Sequence, residues 1–454
     1  MSEQKRQFFG TDGIRGKANV SPLTPDFAVR LGQAVAETFL ERQSDHLDHP
    51  AVVIGKDTRQ SGDMLESAIA AGFNSRGVDA LLAGVIPTPG VAWLTRDHGA
   101  MLGVVISASH NPFDDNGIKF FGSDGYKFDD AQELEIERRV TGEPSGHDGA
   151  VGICSSIENA TERYTEFVCK GLGNDSKLLE GMTIALDTAN GASFQTSPEA
   201  LRGLGADVKV FFDQPNGINI NADCGCTHPE VIEKLVRETR ADVGVSHDGD
   251  ADRVLLCDAG GSVLDGDEIM AIAAACMIEA GTLKENTLVT TVMSNAGLDE
   301  AVRAAGGEVV RAGVGDRYVM EVMRAKGYNL GGEQSGHFIF HDHNTTGDGL
   351  VSALQVLKMV KASGKPLSEW RKILTKFPQA QRNVTVTSKP EIKDLKSAAR
   401  VSEIESTLGQ TGRIMLRYSG TEPLLRILIE GKDSNYIESE ADALAESIAA
   451  EIGG

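Results

Sequence analysis

Cysteine is scarce in this chain. Six residues scattered over 454 positions cannot make the disulfide framework of a small secreted domain, and no second pair completes a zinc site with Cys224 and Cys226. The C-x-C in NADCGCTHPE therefore reads as a turn leading into a helix. Long apolar runs are missing too, so no segment is expected to cross a bilayer. The first residues, MSEQKRQFFG, carry no secretory-type apolar stretch, which predicts a reducing, cytoplasmic setting without membrane partners. Positive charge is in short supply: 44 Lys and Arg stand against 66 Asp and Glu, for a net charge of −22. That balance excludes nucleic acid as a partner, because a polyanion would be repelled. It does not exclude small anions. An acidic protein that binds phosphate gathers its cations in particular loops, so clustered Arg and Lys become informative. Neither a P-loop nor a dinucleotide fingerprint follows any early strand.

What remains is the composition of a soluble globular protein, 41% hydrophobic and 24% charged, long enough for three or four domains. One pattern recurs. AVVIGKDTRQSGDMLESAIAAGF from Ala51 is an apolar strand, a polar loop and a helical stretch. MTIALDTANGASFQTSPEALRGLG from Met182 and TLVTTVMSNAGLDEAVRAAGG from Thr287 repeat it. Each continues into a second apolar strand, at Asp79, Ala206 and Glu308, which is the signature of a parallel crossover. The tail differs: FPQAQRNVTVTS, RIMLRYSG and EPLLRILIEG alternate as strands before the helical NYIESEADALAESIAAEI. We expect three related α/β domains with mixed, largely parallel sheets over residues 1–155, 156–260 and 261–376, then a smaller α+β domain over 377–454. A linker is expected near Gly364, Pro366 and Pro378. LTPDFAVRLGQAVAETFL opens with Pro25 at a first helical position and reads as packing only.

Four loops carry chemistry. In GVVISASHNPFDDNGIKFF, residues 103–121, a buried strand ends in two hydroxyls, an imidazole and Asn-Pro. Ordinary turn chemistry accounts for such residues, and so does a nucleophile aimed from a rigid strand. In HDGDADR, Asp248, Asp250 and Asp252 alternate within five residues, and three converging carboxylates repel unless a divalent cation relieves them. Arg253 and Ala259 stand where an EF-hand needs Gly and Glu, so that alternative fails; a solvated acidic turn is the other. Cationic loops come next: Arg15 in FGTDGIRG, Arg317 in GVGDRYV, and Arg417 with Arg426 around Ser419, Gly420 and Thr421 in RYSGTEPLLR. Guanidinium forks beside hydroxyls and free N–H groups suit a phosphate dianion, and a hairpin paired to acidic surface also fits. LGGEQSGH offers Glu333 and Ser335 on one side, as for adjacent sugar hydroxyls, and a loop His337. His341 and His343 complete no metal site.

SASHNP, DGDADR, GEQSGH and RYSGTEP, in that order and spacing, resemble the α-D-phosphohexomutase superfamily over essentially the whole length. FGTDGIRG, ISASHNPFDDNGIKFF and RYSGTEPLLRILIEG are most similar to its bacterial glucosamine-phosphate branch, which feeds amino-sugar and peptidoglycan precursor synthesis. The resemblance implies four domains around a central cleft and an isomerase that interconverts glucosamine 6-phosphate and glucosamine 1-phosphate through a 1,6-bisphosphate. It implies that Ser109 is a phosphoserine, and that Ser109, Asp248, Asp250 and Asp252 hold one Mg²⁺. Glu333 and Ser335 would bind sugar hydroxyls. Arg417, Ser419, Gly420, Thr421 and Arg426 would hold the phosphate not in transit. Lys119 and His337 match proton-transfer positions, with His110, Arg15 and Arg253 near the phosphoserine. Glucose or glucosamine 1,6-bisphosphate is implied as activator, and a monomer or homodimer acting on a small phosphosugar as the working unit. Cys226 departs from the Ser or Ala expected in this branch, at a position expected to be remote from the chemistry. Three rivals remain: a phosphomannomutase or phosphoglucomutase of the same superfamily, a Mg-dependent sugar phosphatase using an Asp of DGDADR, and a non-catalytic phosphosugar sensor.

Overall fold

Each of the three repeats folds as a strand, a helix and a second strand parallel to the first. The structure is a computed structural model that describes residues 6–42, 49–142, 149–173, 175–419 and 422–453. In the first repeat, strand Ala51–Lys56 leads through helix Gly62–Asn74 to strand Asp79–Val85. Val52, Val53 and Ile54 are all fully buried, as in a strand covered on both faces. Leu65, Ile69 and Phe73 recur at helical spacing and seal one side of that sheet. The second repeat pairs Thr183–Asp187 with Asp207–Phe211, and the third pairs Thr287–Thr291 with Glu308–Ala312.

The first sheet has six strands, ordered Ile14–Lys17, Asp115–Gly122, Leu102–Ile106, Ala51–Lys56, Asp79–Val85, Cys154–Ser156. The second has five strands and carries Val243–His247 and Val254–Asp258 as an antiparallel pair at one side. The third has four, with Leu330–Gly332 and Phe338–Phe340 antiparallel. The sheets are mixed, as expected, with a parallel core in each and antiparallel strands added at one side.

The C-terminal unit is a three-stranded antiparallel sheet, Gln379–Thr385, Leu424–Gly431 and Gly412–Tyr418, backed by helix Ser434–Ile452. A further helix, Ala398–Leu408, buries Ile404 and Leu408 there, in a stretch for which the sequence pattern predicts no element.

The cores divide the molecule unevenly. One apolar cluster runs from Val53 and Ile86 through Tyr164, Leu186 and Leu256 to Leu298 and Leu354, crossing all three α/β units. The C-terminal unit has its own cluster around Leu425, Ile427, Ile429, Leu444 and Ile448. The expected linker near residue 366 is packed rather than free: Leu367, Trp370 and Leu374 belong to the large cluster and Phe377 is buried. Arg413 ties the C-terminal unit to the third sheet by donating to the carbonyls of Val292 (2.7 Å) and Ser294 (2.6 Å). Among the described residues, no helix is long and apolar enough to cross a membrane.

Candidate active site

Strand Leu102–Ile106 is buried at every residue and delivers Ser107, Ala108 and Ser109 to its end. Ser109 sits in the left-handed region at φ +53°, which a side-chain-bearing residue adopts only when its surroundings hold it. Arg59 is the main restraint. Its guanidinium donates to the carbonyls of Ser109 (2.8 Å), Asn111 (2.8 Å) and Asp115 (2.9 Å), and also to that of Pro112. Asp57 accepts from Arg59 Nε (2.8 Å) and from Ser107 Oγ (2.6 Å), and Ser107 Oγ in turn accepts from Ser109 N (2.9 Å). Asn221, from the second unit, donates to the same carbonyls of Ser109 (2.9 Å) and Asn111 (3.1 Å). A Cβ at Gly249 would lie 2.6 Å from the Ser109 oxygen, so only glycine lets the two loops meet.

The result is a hydroxyl delivered across a domain boundary. Ser109 Oγ donates to Asp248 Oδ2 at 2.6 Å. Asp248, Asp250 and Asp252 are all buried, with one oxygen of each within 4.8 Å of the others. Burial, together with repulsion from Asp252 and Asp250, pushes the Asp248 carboxyl up to about 8. Burial also works to raise Asp252, but His337, Lys119 and Arg253 hold it well below the usual carboxylate range. Asp250 Oδ1 and Asp252 Oδ1 are buried with no hydrogen-bond partner among the described residues. Orphaned, clustered carboxylate oxygens beside a serine oxygen are the donor set a hard divalent cation takes, so these residues fit Mg²⁺.

The other predicted residues gather around this point. Lys119 is fully buried, its ammonium 2.9 Å from Asp250 Oδ2 and 2.9 Å from Asp12 Oδ2. Burial opposes its charge, yet Asp12, Asp250 and Asp252 raise its pKa. His337 bridges to Arg253 along the backbone, and its ring lies 3.6 Å from Asp252 and 3.4 Å from Asp316. Burial disfavours the imidazolium, but Asp316 and Asp252 outweigh it and push the ring up to about 9. Its Nε2 has no hydrogen-bond partner among the described residues. A Cβ at Gly347 would fall on that ring. His110 Nδ1 is 3.4 Å from Ser109 Oγ; burial, with Arg253 and Arg15, pushes it down to about 4, so the ring is neutral. Arg15 pairs with Asp12 and reaches the Ala108 carbonyl (3.5 Å).

A cavity of about 440 Å³ opens beside these groups, lined by Arg15, Arg253, Glu333, Ser335 and His337 with Asp12, Lys127 and Asp316. That volume suits a small polar ligand. Glu333 accepts from Gly315 N (3.1 Å) and is raised by burial.

Two predicted placements differ. Arg317 does not face a phosphate site: it pairs with Asp130 and Glu133 and donates to the Phe128 carbonyl (3.2 Å), joining the third unit to the first. Cys226 is not remote. Its N–H donates to the His247 carbonyl (3.0 Å), and burial with nearby Asp248 drives its thiol pKa far up, because the turn folds against the metal loop. Arg417 and Arg426 face each other across two strands in the C-terminal unit, with Ser419 beside them. Lys389, which no sequence motif marks, donates to the carbonyls of Ser419 (2.5 Å) and Glu422 (3.1 Å). Among the described residues, no hydrogen bond carries Arg417, Ser419 or Arg426 to the other three units. Gly420 and Thr421 lie outside the described residues. Arg59, Asn221, Asp12, Lys127 and Asp316 escape sequence reasoning, since the contacts that bring each to the site reach into distant segments.

Comparison with known proteins gives this geometry a family. Residues 6–146 match phosphoglucomutase/phosphomannomutase alpha/beta/alpha domain I, 162–261 domain II, 265–377 domain III and 382–447 the C-terminal domain. Phosphoglucosamine mutases of Syntrophotalea carbinolica and Pelobacter propionicus are each 50% identical over 99% of this chain, covering 98% and 99% of their own lengths. Among solved structures, a phosphoglucomutase/phosphomannomutase family protein of Burkholderia thailandensis superposes with a TM-score of 0.80 at 21% identity, covering 98% of this chain and 97% of its own. Aspergillus fumigatus N-acetylphosphoglucosamine mutase, in complex with GlcNAc-6P and magnesium, does so with a TM-score of 0.66 at 17% identity, over 98% and 96%. Four matched domains in order, and half-identical relatives over the full length, establish that the chain belongs to the phosphoglucomutase/phosphomannomutase family, within which it is most similar to the phosphoglucosamine mutases.

Proposed function

We propose that this chain is an isomerase that interconverts glucosamine 6-phosphate and glucosamine 1-phosphate, passing a phosphoryl group through Ser109. One observation carries it: a serine hydroxyl held at φ +53° by a buried arginine donates to the first of three clustered carboxylates, and the last of the three, Asp252, lines a cavity of about 440 Å³ with Arg15, Arg253, Glu333 and His337. A free serine hydroxyl is a weak nucleophile, whereas a phosphoserine is a ready donor. Phospho-Ser109 gives its phosphoryl group to O1 of glucosamine 6-phosphate: the Oγ–P bond breaks and an O1–P bond forms. The bisphosphate turns over in the cleft, and its 6-phosphoryl group returns to Ser109 Oγ, which leaves glucosamine 1-phosphate.

Asp248, Asp250 and Asp252, with the Ser109 oxygen, are the residues that would hold Mg²⁺, which when bound offsets phosphoryl charge and orients its oxygens. In each half-reaction the attacking hydroxyl loses a proton and the departing oxygen gains one. Lys119 and His337 are assigned to that exchange: their carboxylate neighbours favour the charged form of each, so one gives its proton to the departing oxygen and, once neutral, takes up the proton of the attacking hydroxyl. Arg15 and Arg253 flank the reacting phosphate, with the neutral His110 beside Ser109. Glu333 and Ser335 hold sugar hydroxyls. Arg417, Ser419, Gly420, Thr421 and Arg426 clamp the phosphate not in transit. The chain accordingly divides at residues 155, 260 and 376, one loop from each domain. Glucose or glucosamine 1,6-bisphosphate primes a serine that has lost its phosphate.

The test is turnover of glucosamine 6-phosphate with Mg²⁺ and a trace of glucose 1,6-bisphosphate. Formation of glucosamine 1-phosphate without release of inorganic phosphate is expected, faster than the interconversion of glucose or mannose phosphates. Steady phosphate release that survives Ser109→Ala would indicate a phosphatase instead, and binding without turnover a sensor.

A further inference from the structure

Six side chains from three domains close into a ring of alternating charge. Starting at Asp252, the carboxylate lies 3.9 Å from Lys119 Nζ. Lys119 lies 2.9 Å from Asp12, and Asp12 2.7 Å from Lys127 Nζ. Lys127 lies 2.7 Å from Asp316, and Asp316 3.4 Å from His337 Nε2. His337 Nδ1 returns to Asp252 at 3.6 Å. Asp12, Lys119 and Lys127 come from the first unit, Asp252 from the second, and Asp316 and His337 from the third.

On the mutase reading given above, we infer that Asp12, Lys127 and Asp316 are positioning residues for the reaction. They fix Lys119 and His337, which stand on separate domains, at a set distance across the cleft. Lys127 is the keystone. Its ammonium is the group that joins the carboxylate touching Lys119 to the carboxylate touching His337. Without it the two proton-transfer groups share only Asp252. Lys127 is nearly buried, with 11% of its side chain exposed, so its charge is little screened and its two partners are held firmly. Asp12 also carries Arg15, so the same cation indirectly orders a guanidinium at the cavity wall. Lys127 and Asp316 line a second cavity of about 290 Å³ at the seam between the first and third units. The ring thus separates the reacting space from that seam.

Lys127→Met keeps the volume of the side chain and removes its charge. With kcat measured per chain phosphorylated on Ser109, counted by intact mass, we expect a fall of about 100-fold, the scale of a displacement of about 1 Å in catalytic groups. KM for glucosamine 6-phosphate should move by less than about threefold, since no sugar contact is removed. Lys127→Arg, which still bridges two carboxylates, should recover at least about tenfold of the loss. Lys127→Met with Asp316→Asn removes one charge of each sign, so it should melt nearer the wild-type temperature while staying as slow as Lys127→Met. Native kcat per phosphorylated chain in either Met variant would overturn the ring while leaving the mutase reading intact. So would a loss that tracks only the folded fraction, with Arg no better than Met. A wild-type chain that never forms glucosamine 1-phosphate overturns both.

Discussion

Two loops in this molecule are suited to a phosphate, and they are anchored in opposite ways. The Ser109 turn rests on a fully buried strand, and Arg59, Ser107 and Asn221 all bond to it. It belongs to the body of three α/β units that share one apolar cluster. The loop between Tyr418 and Leu424 belongs to a unit with a separate core, and Arg426 is exposed and paired with its neighbour Glu422 (3.0 Å). The first arrangement suits a reacting atom that has to be placed within a fraction of an ångström. The second suits a clamp that engages one end of a ligand that must also turn around. On the proposed reading, chemistry sits in the body of three α/β units and retention in the C-terminal unit, which has its own core.

That contrast can be broken at several points, and the largest effect lies at the serine. Ser109→Ala should lower turnover by at least about 1,000-fold while the protein melts as before, because no route to a phosphoenzyme remains. Arg59→Met attacks the same turn from below. It leaves Asp57 without its cation and removes a donor from the carbonyls of Ser109, Asn111, Pro112 and Asp115, the first two of which keep only Asn221 among the described residues. The expected cost is about 3–5 kcal/mol in urea unfolding, as for other broken buried pairs, with lost activity besides. A loss under about 1 kcal/mol would mean the turn does not depend on Arg59.

Chelation probes the metal loop. EDTA should abolish turnover reversibly, and Mg²⁺ at about 100 times its dissociation constant should stabilise the body by about 2.7 kcal/mol. The increment should vanish in Asp252→Asn. The smallest effect on stability is expected in the C-terminal unit. Arg426→Ala should raise KM by about tenfold and leave the melting temperature within about 1 °C, since exposed ion pairs contribute little. Equal damage to melting from Arg426→Ala and Arg59→Met would erase the distinction between the two loops.

Much of this architecture is legible in the amino-acid sequence. The three strand–helix–strand repeats announce themselves by apolar runs and helical spacing, and they pair in parallel as expected. The Asp248, Asp250 and Asp252 cluster is visible because its members are neighbours along the chain. What stays hidden depends on tertiary contact. Arg59 reads like any loop arginine, and only the fold brings its guanidinium to carbonyls some fifty residues away. Lys127 and Asp316 are ordinary charges in sequence and adjacent only in space. Arg317 sits one residue from Asp316 in the first turn of helix Asp316–Lys326, in a stretch that stands out for its cation, yet that cation braces two domains. Cys226 reads as remote because distance along the chain says nothing of the turn folding onto the metal loop. Helix Ala398–Leu408 carries Val401, Ile404 and Leu408 at helical spacing, but this stripe is one apolar residue per turn among charges and hydroxyls and is easily overlooked beside the flanking strands.

Transfer of label from the serine tests the central claim most directly. Chain carrying ³²P on Ser109 is mixed with unlabelled glucosamine 6-phosphate and quenched at intervals shorter than one turnover. The account predicts that one phosphoryl group per labelled chain appears on sugar at least as fast as glucosamine 1-phosphate is formed. Label that stays on the protein while sugar is interconverted at full rate would contradict it.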